Sequence, residues 1–145
     1  MEPIRVKKLK ENAVIPTYGS SDAAGADLYA CLEEAVTIAP GETAWIPTGV
    51  ALEVPKGCAG LVFARSSMGA RRGLAPANKV GVIDSDYRGE IRVVLLNHSK
   101  VPQTVTPGER VAQLVITPVL TPGFLEVAEL SDTARGSGGF GSTGK

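Results

Sequence analysis

The sequence predicts an all-β domain of the sandwich, barrel or jelly-roll type, and three observations support this prediction. Short runs of alternating apolar and polar residues recur along the chain, turn-forming Pro and Gly residues separate them, and only one short segment is compatible with a helix. Regular spacing of this kind is typical of such folds. With 145 residues, of which 43% are hydrophobic, a single folded domain is expected.

The individual elements follow from the same pattern. We expect strands within residues 4–9, 44–54, 59–64, 90–97 and 110–118, which are separated by turn signals such as Pro40-Gly41, Pro55-Lys56-Gly57, Pro107-Gly108 and Pro122-Gly123. Residues 66–72 are expected to form a helix of at most about two turns. The β domain is predicted to span residues 1–130, and residues 131–145, which lack periodicity, are predicted to be a mobile arm.

Composition and charge exclude several classes of function. The 15 basic and 15 acidic side chains cancel, so a broad basic face for nucleic acid is not expected. No apolar run is long enough to span a membrane, and the first residues resemble no secretory signal, so we expect a cytoplasmic protein with reduced Cys31 and Cys58. With His98 as the only histidine, a zinc site is excluded, and an oxygen-bound metal such as Mg²⁺ is the remaining choice.

The chain ends in a glycine-rich segment, since 5 of its 17 glycines lie in the last ten residues. Residues 136–141 fit G-x-G-x-x-G, but no strand precedes them and no helix follows, so a dinucleotide-binding fold is rejected. Consecutive glycines still let backbone N–H groups converge on phosphate, and Arg135, Ser142 and Thr143 add donors. The alternative is a flexible terminus. Phe140, between two glycines, is interpreted as a platform for a flat ligand.

An acidic turn, Asp84-Ser85-Asp86, follows Val82 and Ile83, which we expect to be buried. Local turn formation alone would explain these residue types. The functional hypothesis is that Asp84 is partly desolvated and acts as a general base on water. In that case Asp86 would pair with one of the neighbouring arginines, namely Arg88, Arg92 or Arg110, and hold the turn.

Further polar residues occur in otherwise apolar segments. Asp27 needs a partner or a metal shell if it is buried, which makes it a candidate for Mg²⁺ or its waters. Arg65, Ser66 and Ser67 lie where a strand is predicted to give way to a helical turn, and they are candidates for anion binding; a simple N-cap role for Ser66 is the alternative. A two-residue period places Arg110 and Gln113 on opposite faces of their strand. Gln113 lies in an apolar strand and needs hydrogen-bond partners; the structural alternative is a core amide that bonds to the backbone. Asn78 is either a loop residue or a residue that recognises the edge of a base.

Five segments, AGADLYA, ARSSMG, GVIDSDYRGE, GERVAQLV and RGSGGFGSTG, occur in this order. Together they resemble the signature motifs of the trimeric dUTPase family, and the resemblance extends from about residue 4 to 144. It implies a jelly-roll subunit, a homotrimer with three shared sites, and an arm that closes over a neighbouring subunit's substrate. It also implies hydrolysis of dUTP at the α-phosphorus with Mg²⁺, giving dUMP and pyrophosphate. That reaction limits uracil incorporation into DNA and supplies dUMP for thymidylate synthesis.

The resemblance also implies roles for individual residues. Asp84 is similar to the acid that activates the attacking water, Gln113 lies close to that water, and Asp27 organises hydrated Mg²⁺. Tyr87 resembles the ring that packs on deoxyribose. The implied uracil pocket comprises Asn78, Gly81, Val82, Ile83 and Arg92. The implied phosphate contacts are Arg65, Ser66, Ser67, Gln113, Arg135, Gly141, Ser142 and Thr143, with Phe140 stacking on uracil.

Two departures from the family pattern, Ala26 and Ser67, remove no catalytic group. A nucleotide-binding module with little turnover and a dCTP deaminase relative are the alternatives. The deaminases share the fold, but their acid–base residue is a glutamate and their arm differs, so VIDSDY and the intact arm favour dUTPase.

Overall fold

The computed structural model describes residues 2–142 and 144, and almost all of its regular structure is β-strand. The described chain forms twelve strands: β1 Val6–Lys8, β2 Thr17–Tyr18, β3 Ala26–Tyr29, β4 Val36–Ile38, β5 Thr43–Pro47, β6 Val50–Leu52, β7 Cys58–Phe63, β8 Leu74–Pro76, β9 Gly81–Ile83, β10 Arg92–Asn97, β11 Gln103–Val105 and β12 Arg110–Pro118. The predicted all-β jelly-roll class is confirmed.

All of the strand pairs are antiparallel, and most join strands that are distant in sequence. The largest sheet has the order β2-β3-β12-β7-β9, and a second has the order β5-β10-β8; β1 pairs with β6, and β4 pairs with β11. The nine-residue strand β12 lies between β3 and β7 at the centre of the largest sheet. Residues from β3, β7 and β12 are therefore brought side by side although they come from three separate parts of the chain.

The long alternating runs predicted strands well, with one exception. Residues 110–118 form β12 as expected, but residues 44–54 divide into β5 and β6. The break follows Pro47 and includes Gly49, whose φ of 68° lies in the left-handed region and cannot continue a strand. Strands β2, β3, β4, β8, β9 and β11 have two to four residues each, and such short segments carry too little alternation to be predicted.

Within the described residues, the one helical element is a π-helical turn, Ser67–Arg71. The backbone N–H groups of Met68 and Gly69 both donate to the carbonyl of Arg65, at 3.0 and 2.9 Å. Met68 is buried beneath the turn and packs into the core. Ser66, which precedes the turn, is exposed, and Ser67, its first residue, is half-buried.

The hydrophobic core fills the space between the sheets, with fully buried members such as Leu28, Ile46, Leu74, Leu95 and Val111. The fully buried side chain of Asn97 donates to the carbonyls of Ile38 and Val101, both at 2.8 Å. Its amide is therefore satisfied, as a buried polar group requires. Across the residues described, none of the helices has the length and apolar character needed to cross a bilayer.

After β12 the described chain contains no further helix or strand. Residues 119–130 carry almost fully exposed apolar side chains, including Leu120, Phe124, Leu125 and Leu130. In residues 131–142 the backbone folds into successive local turns, such as the bonds from the N–H groups of Gly136 to the Thr133 carbonyl and of Gly138 to the Arg135 carbonyl, both 3.1 Å. The division at residue 130 between domain and arm stays a prediction.

Candidate functional site

Asp27 is the centre of a compact charged cluster. This residue of β3 is 8% exposed, and each of its carboxylate oxygens accepts from one arginine. The Nε of Arg65 donates to Oδ1 at 2.7 Å, and an Nη of Arg110 donates to Oδ2 at 3.3 Å. Arg65 also donates from Nη1 to the hydroxyl of Ser67 at 3.2 Å. The two guanidiniums compensate the buried charge, and the carboxylate in turn fixes the direction of Arg65.

Gln113 lies directly opposite Asp27 in the β3–β12 ladder. Its Nε2 donates to the carbonyl of Ala64 at 2.9 Å, so the bond to backbone considered from the sequence is present. Its Oε1 faces Gly25, where an added Cβ would lie only 2.6 Å away. Gln113 is half-buried and adjacent to the Asp27 cluster, which places an amide beside the same group of arginines.

The expectation that Arg110 and Gln113 lie on opposite faces is wrong. The β3–β12 register shifts between Arg110 and Ala112, which is a β-bulge in β12. A bulge inserts one residue and reverses the alternation beyond it. As a result Arg110 contacts Asp27, the cross-strand partner of Gln113, and both side chains belong to one cluster.

Ser66 precedes the π-helical turn and Ser67 begins it, and their side chains make different contacts. Ser66 makes no capping hydrogen bond, so the N-cap interpretation is wrong, and its side chain is exposed. A backbone already helical at Ser66, with φ of −56° and ψ of −40°, does not present the hydroxyl to the turn as an N-cap does. Ser67 instead accepts from Arg65.

A second group of predicted residues lines one cleft with a volume of about 420 Å³. Strands β9 and β10 and the loop between them form much of its wall. Seven residues singled out from the sequence belong to the lining: Asn78, Gly81, Val82, Ile83, Asp84, Tyr87 and Arg92. The structure therefore brings together Asp84, Tyr87 and the residues implied for the uracil pocket, but not Gln113 or Phe140.

The acidic turn is held without either carboxylate. The N–H of Tyr87 donates to the Asp84 carbonyl at 3.2 Å, and Arg88 donates to the Ser85 carbonyl at 2.8 Å. Local turn formation therefore does not account for the Asp84 carboxylate. Asp84 is exposed at the cleft, so its expected partial desolvation is wrong for the single chain. The expected burial of Val82 is wrong: it lies on the edge strand β9 and is 65% exposed.

The predicted pairing of Asp86 with an arginine is not present among the ion pairs of residues 2–142 and 144. Arg92 pairs with Glu90 at 3.2 Å, Arg110 pairs with Asp27, and Arg88 bonds to backbone carbonyls. Each of these three arginines therefore interacts with an acceptor other than Asp86. Asp86 is exposed to solvent, where pairing gains little.

Tyr87 is held over the loop that follows it. Its hydroxyl donates to the Glu90 carbonyl at 3.0 Å, and its ring lies against Gly89. A Cβ added at Gly89 would lie 2.4 Å from the hydroxyl oxygen and 2.6 Å from Cζ. Only glycine leaves room for this ring, so the sequence Tyr87-Arg88-Gly89 sets where the aromatic face is presented to the cleft.

The arm residues make only local contacts in the part of the chain described. The Nε of Arg135 donates to the Gly138 carbonyl at 2.7 Å, and the N–H of Ser142 donates to the Gly139 carbonyl at 3.1 Å. Phe140 is fully exposed and has a φ of 51°, and Gly141 has a φ of 89°. Thr143, also predicted to contact phosphate, lies outside the described residues. None of the described arm residues lines the cleft of its own chain.

The cleft lining does not include Asp27, Arg65 or Gln113. One chain therefore carries the predicted groups in three places: the Asp27 cluster, the cleft and the arm. Among the residues described, no group of three or more His, Cys, Asp or Glu side chains is arranged to hold a metal. A metal bound by one carboxylate and by substrate oxygens does not require such a group.

Several lining residues were missed from the sequence: Trp45, Val62, Pro76, Glu90, Ile91, Val93 and Val94. Trp45 and Glu90 are the two whose contacts stand out. Trp45, in β5, is 66% exposed and lies opposite Val94 in the β5–β10 ladder. The signal available in the sequence was that Trp45 is the only tryptophan of the chain and lies in a short strand. Glu90 accepts from the N–H of Gly49 at 2.9 Å and pairs with Arg92, so it ties the β5–β6 connection to the cleft wall.

A jelly-roll subunit with an arginine–carboxylate cluster, a small cleft and a glycine-rich arm has the features of a nucleotide-handling enzyme. Comparison with known proteins identifies the family. The dUTPase family model matches residues 11–144. The deoxyuridine 5'-triphosphate nucleotidohydrolase of Nautilia profundicola is 48% identical over 142 residues, covering 98% of this chain and 99% of the relative. The chain belongs to the dUTPase family.

Solved structures agree with this assignment. A mutant dUTPase of Staphylococcus bacteriophage 80alpha, in a structure with dUpNHpp, has a TM-score of 0.88 and 30% identity, with all of both chains covered. A mutant dUTPase from phage phi11 of S. aureus, whose structure reveals the coordination of a structural Mg(II) ion, has a TM-score of 0.81 and 27% identity. That match covers 90% of this chain and all of the other.

Proposed function

We propose that this protein is a dUTP diphosphatase, which hydrolyses dUTP to dUMP and pyrophosphate. The observation that carries the proposal is the free carboxylate of Asp84, exposed in a cleft that also contains Tyr87 and Asn78, in a chain of the dUTPase family. The turn that holds Asp84 does not use this carboxylate, so it is available to a ligand.

The reaction requires a base, an electrophile and a leaving group. Asp84 accepts a proton from water, and the water oxygen forms a bond to the α-phosphorus. The bond from that phosphorus to the bridging oxygen breaks, and pyrophosphate leaves with both electrons. Gln113 is proposed to orient the water. Its amide is held by the Ala64 carbonyl, which fixes its direction before substrate binds.

The triphosphate needs positive charge and N–H donors around it. Arg65 is oriented by Asp27, and Ser66 has an exposed hydroxyl that is free of capping bonds. We propose that these two residues and Ser67 bind the phosphates from one subunit. Arg135, Gly141, Ser142 and Thr143 of an arm are proposed to close over them. Phosphoryl transfer depends mainly on such positioning and electrostatic stabilisation.

The base and sugar are proposed to occupy the cleft. The uracil edge would bind Asn78 and the backbone of residues 81–83 near Arg92, all in the lining. The ring of Tyr87, fixed over Gly89, would pack on deoxyribose and leave no room for a 2′-hydroxyl. Phe140 would stack on the base from the arm, since exposed aromatic rings in a glycine context are suited to stacking.

The residues fit a Mg²⁺ that arrives with the triphosphate. Mg²⁺ usually takes one or two carboxylates with substrate phosphates and keeps several waters. Asp27 has both oxygens engaged by arginines, so its remaining lone pairs would reach the ion through water rather than directly. When bound, the ion would neutralise charge that develops on the phosphate oxygens.

We further propose a cytoplasmic homotrimer in which each site combines three chains. The supporting observation is that the Asp27 cluster, the cleft and the arm are separate within one chain. A substrate that needs all three must bridge neighbouring subunits. Sedimentation and light scattering test the trimer, and a stable active monomer would contradict shared sites.

One assay separates this function from its alternatives. The protein is incubated with dUTP or dCTP and Mg²⁺, and pyrophosphate and ammonia are measured. Pyrophosphate from dUTP alone supports the proposal. Ammonia from dCTP would indicate a deaminase instead, and neither product would indicate a binding module.

A further inference from the structure

The guanidinium of Arg72 connects two segments that flank the Asp27 cluster. Its Nη1 pairs with Glu109 and contacts the sulfur of Met68 at 3.4 Å, and its Nη2 donates to the Thr104 carbonyl. Its Nε donates to Gln103 at 3.3 Å. One side chain therefore ties the end of the π-helical turn to the β11 strand and to the residue that precedes β12.

Glu109 is held as firmly as its partner. One carboxylate oxygen pairs with Arg72, and the other accepts from the N–H of Thr106 at 2.9 Å. Its carbonyl accepts from the N–H of Ala30 at 2.8 Å, which joins it to the end of β3. The side chains of Arg72 and Glu109 are 27% and 24% exposed, so solvent screens the pair only in part.

The pair completes a ring of contacts. Glu109 is followed by Arg110, which donates to Asp27; Asp27 accepts from Arg65, and Arg65 donates to Ser67 at the start of the turn. The turn itself ends at Arg71, directly before Arg72. The segment that carries Arg65 and the two serines is therefore anchored at one end by Asp27 and at the other by Glu109.

The second anchor, which is the pair of Arg72 with Glu109, matters because of the kind of turn it holds. A five-residue π-helical turn has few internal hydrogen bonds, and such turns are rarely stable alone. The Arg65–Asp27 contact holds the start of the turn, and the buried Met68 attaches its middle to the core. Contacts from Arg72 to β11, to Glu109 and to the buried Met68 fix the other end of the turn.

We infer that Arg72 and Glu109 form a positioning pair, which holds Arg65, Ser66 and Ser67 in the geometry that binds the substrate's phosphates. This inference rests on the proposed function, since it takes those three residues as phosphate ligands. Neither Arg72 nor Glu109 lines the cleft. Their loss should therefore weaken phosphate binding while leaving recognition of base and sugar in place.

The test compares Arg72→Gln and Glu109→Gln with the double variant and with Arg71→Gln as control. Arg71 is the exposed neighbour and takes part in none of the ion pairs of the described chain. Each single variant should raise KM for dUTP and Kd for dUpNHpp by about tenfold, since small displacements of positioning groups are costly. The double variant should be no worse than either single one, because the two residues act as a unit. The control should match the parent protein.

Affinity for dUMP distinguishes positioning from general damage, because dUMP keeps the base and sugar but lacks two phosphates. It should change less than about twofold in all variants. Equal losses for dUMP and dUpNHpp, or a lowered Tm with unchanged KM and Kd, would overturn the inference. If Arg72→Gln does not fold, Arg72→Lys decides: it keeps the charge but loses the fork, so KM should rise at least about threefold, and an unchanged KM would overturn the pair's role.

Arg65→Ala separates this inference from the proposed function. If that variant hydrolyses dUTP normally, the assignment of the phosphate site is wrong, regardless of the results for the Arg72 variants. If it loses activity while the Arg72 and Glu109 variants retain normal KM, the site stands and only the positioning pair is refuted.

Discussion

The Nε of Arg65 donates to Oδ1 of Asp27 at 2.7 Å, although the two residues are 38 positions apart in sequence. Asp27 is 8% exposed and its carboxylate also accepts from Arg110, so one buried acid binds two guanidiniums. Asp27, which the sequence suggested as a metal ligand, therefore mainly binds and orients two arginine side chains. Its part in hydrated Mg²⁺ binding stays a prediction.

Asp27→Asn should reduce both stability and activity. An amide leaves two positive groups adjacent without a compensating charge. The free energy of unfolding should fall by about 1–3 kcal/mol, less than for a fully buried pair because the Arg110 side chain is half exposed. Glu53→Gln, which breaks the exposed pair with Arg5, is the control and should cost at most about 1 kcal/mol. Equal Tm values for the two variants would contradict the role of Asp27.

Gly89→Ala should impair selection of the sugar. The new methyl group would collide with the Tyr87 ring and displace it. We expect the ratio of kcat/KM for dUTP to that for UTP to fall by about tenfold or more, since an exact packing surface is lost. Gly19→Ala is a matched control, because nothing lies within 4 Å of a Cβ there. An unchanged ratio in Gly89→Ala would show that Tyr87 does not select the sugar.

Deletion of residues 136–145 should abolish most activity without lowering stability. The contacts of the arm in the described chain are local and exposed, so the folded body loses no support. We expect kcat/KM to fall by at least about 10²-fold, as closing segments position substrate, with Tm nearly unchanged. Normal turnover by the truncated protein would refute the function assigned to the arm.

Phe140→Ala should weaken the catalysed reaction by up to about 10²-fold, because stacking on a base contributes about 1–3 kcal/mol. Phe140→Tyr, which keeps the ring, should retain most activity. Steady-state kcat/KM for dUTP measures both variants. A similar loss in both would mean that the site depends on another property of this side chain.

The fold class was predictable because apolar runs rich in β-branched residues, such as residues 110–118, recur between Pro and Gly turn signals. The short strands were not, since two to four residues carry no measurable period. The bulge at the start of β12 was also invisible, because residues 110–112 themselves contain no glycine or other local signal. That bulge is the reason Arg110 and Gln113 share one cluster instead of facing apart.

The motifs identified the candidate site residues, but they did not predict which side chains these residues would contact. Residues adjacent in sequence, such as Asp84 and Tyr87, were predicted to share a site, and they line one cleft. The pairing of Asp27 with Arg65 and Arg110 depends on strand order, which the sequence does not specify. The same holds for Trp45, which reaches the cleft through the β5–β10 pairing.

Replacement of Asp84 tests the central claim most directly. In Asp84→Asn the side chain keeps its shape but cannot accept the proton of the attacking water. We expect kcat for dUTP to fall by at least about 10²–10⁴-fold while Kd for dUpNHpp stays nearly unchanged. Asp86→Asn, at an exposed position two residues away, is the control and should remain active. Near-normal turnover by Asp84→Asn would contradict the assignment of Asp84 as the base.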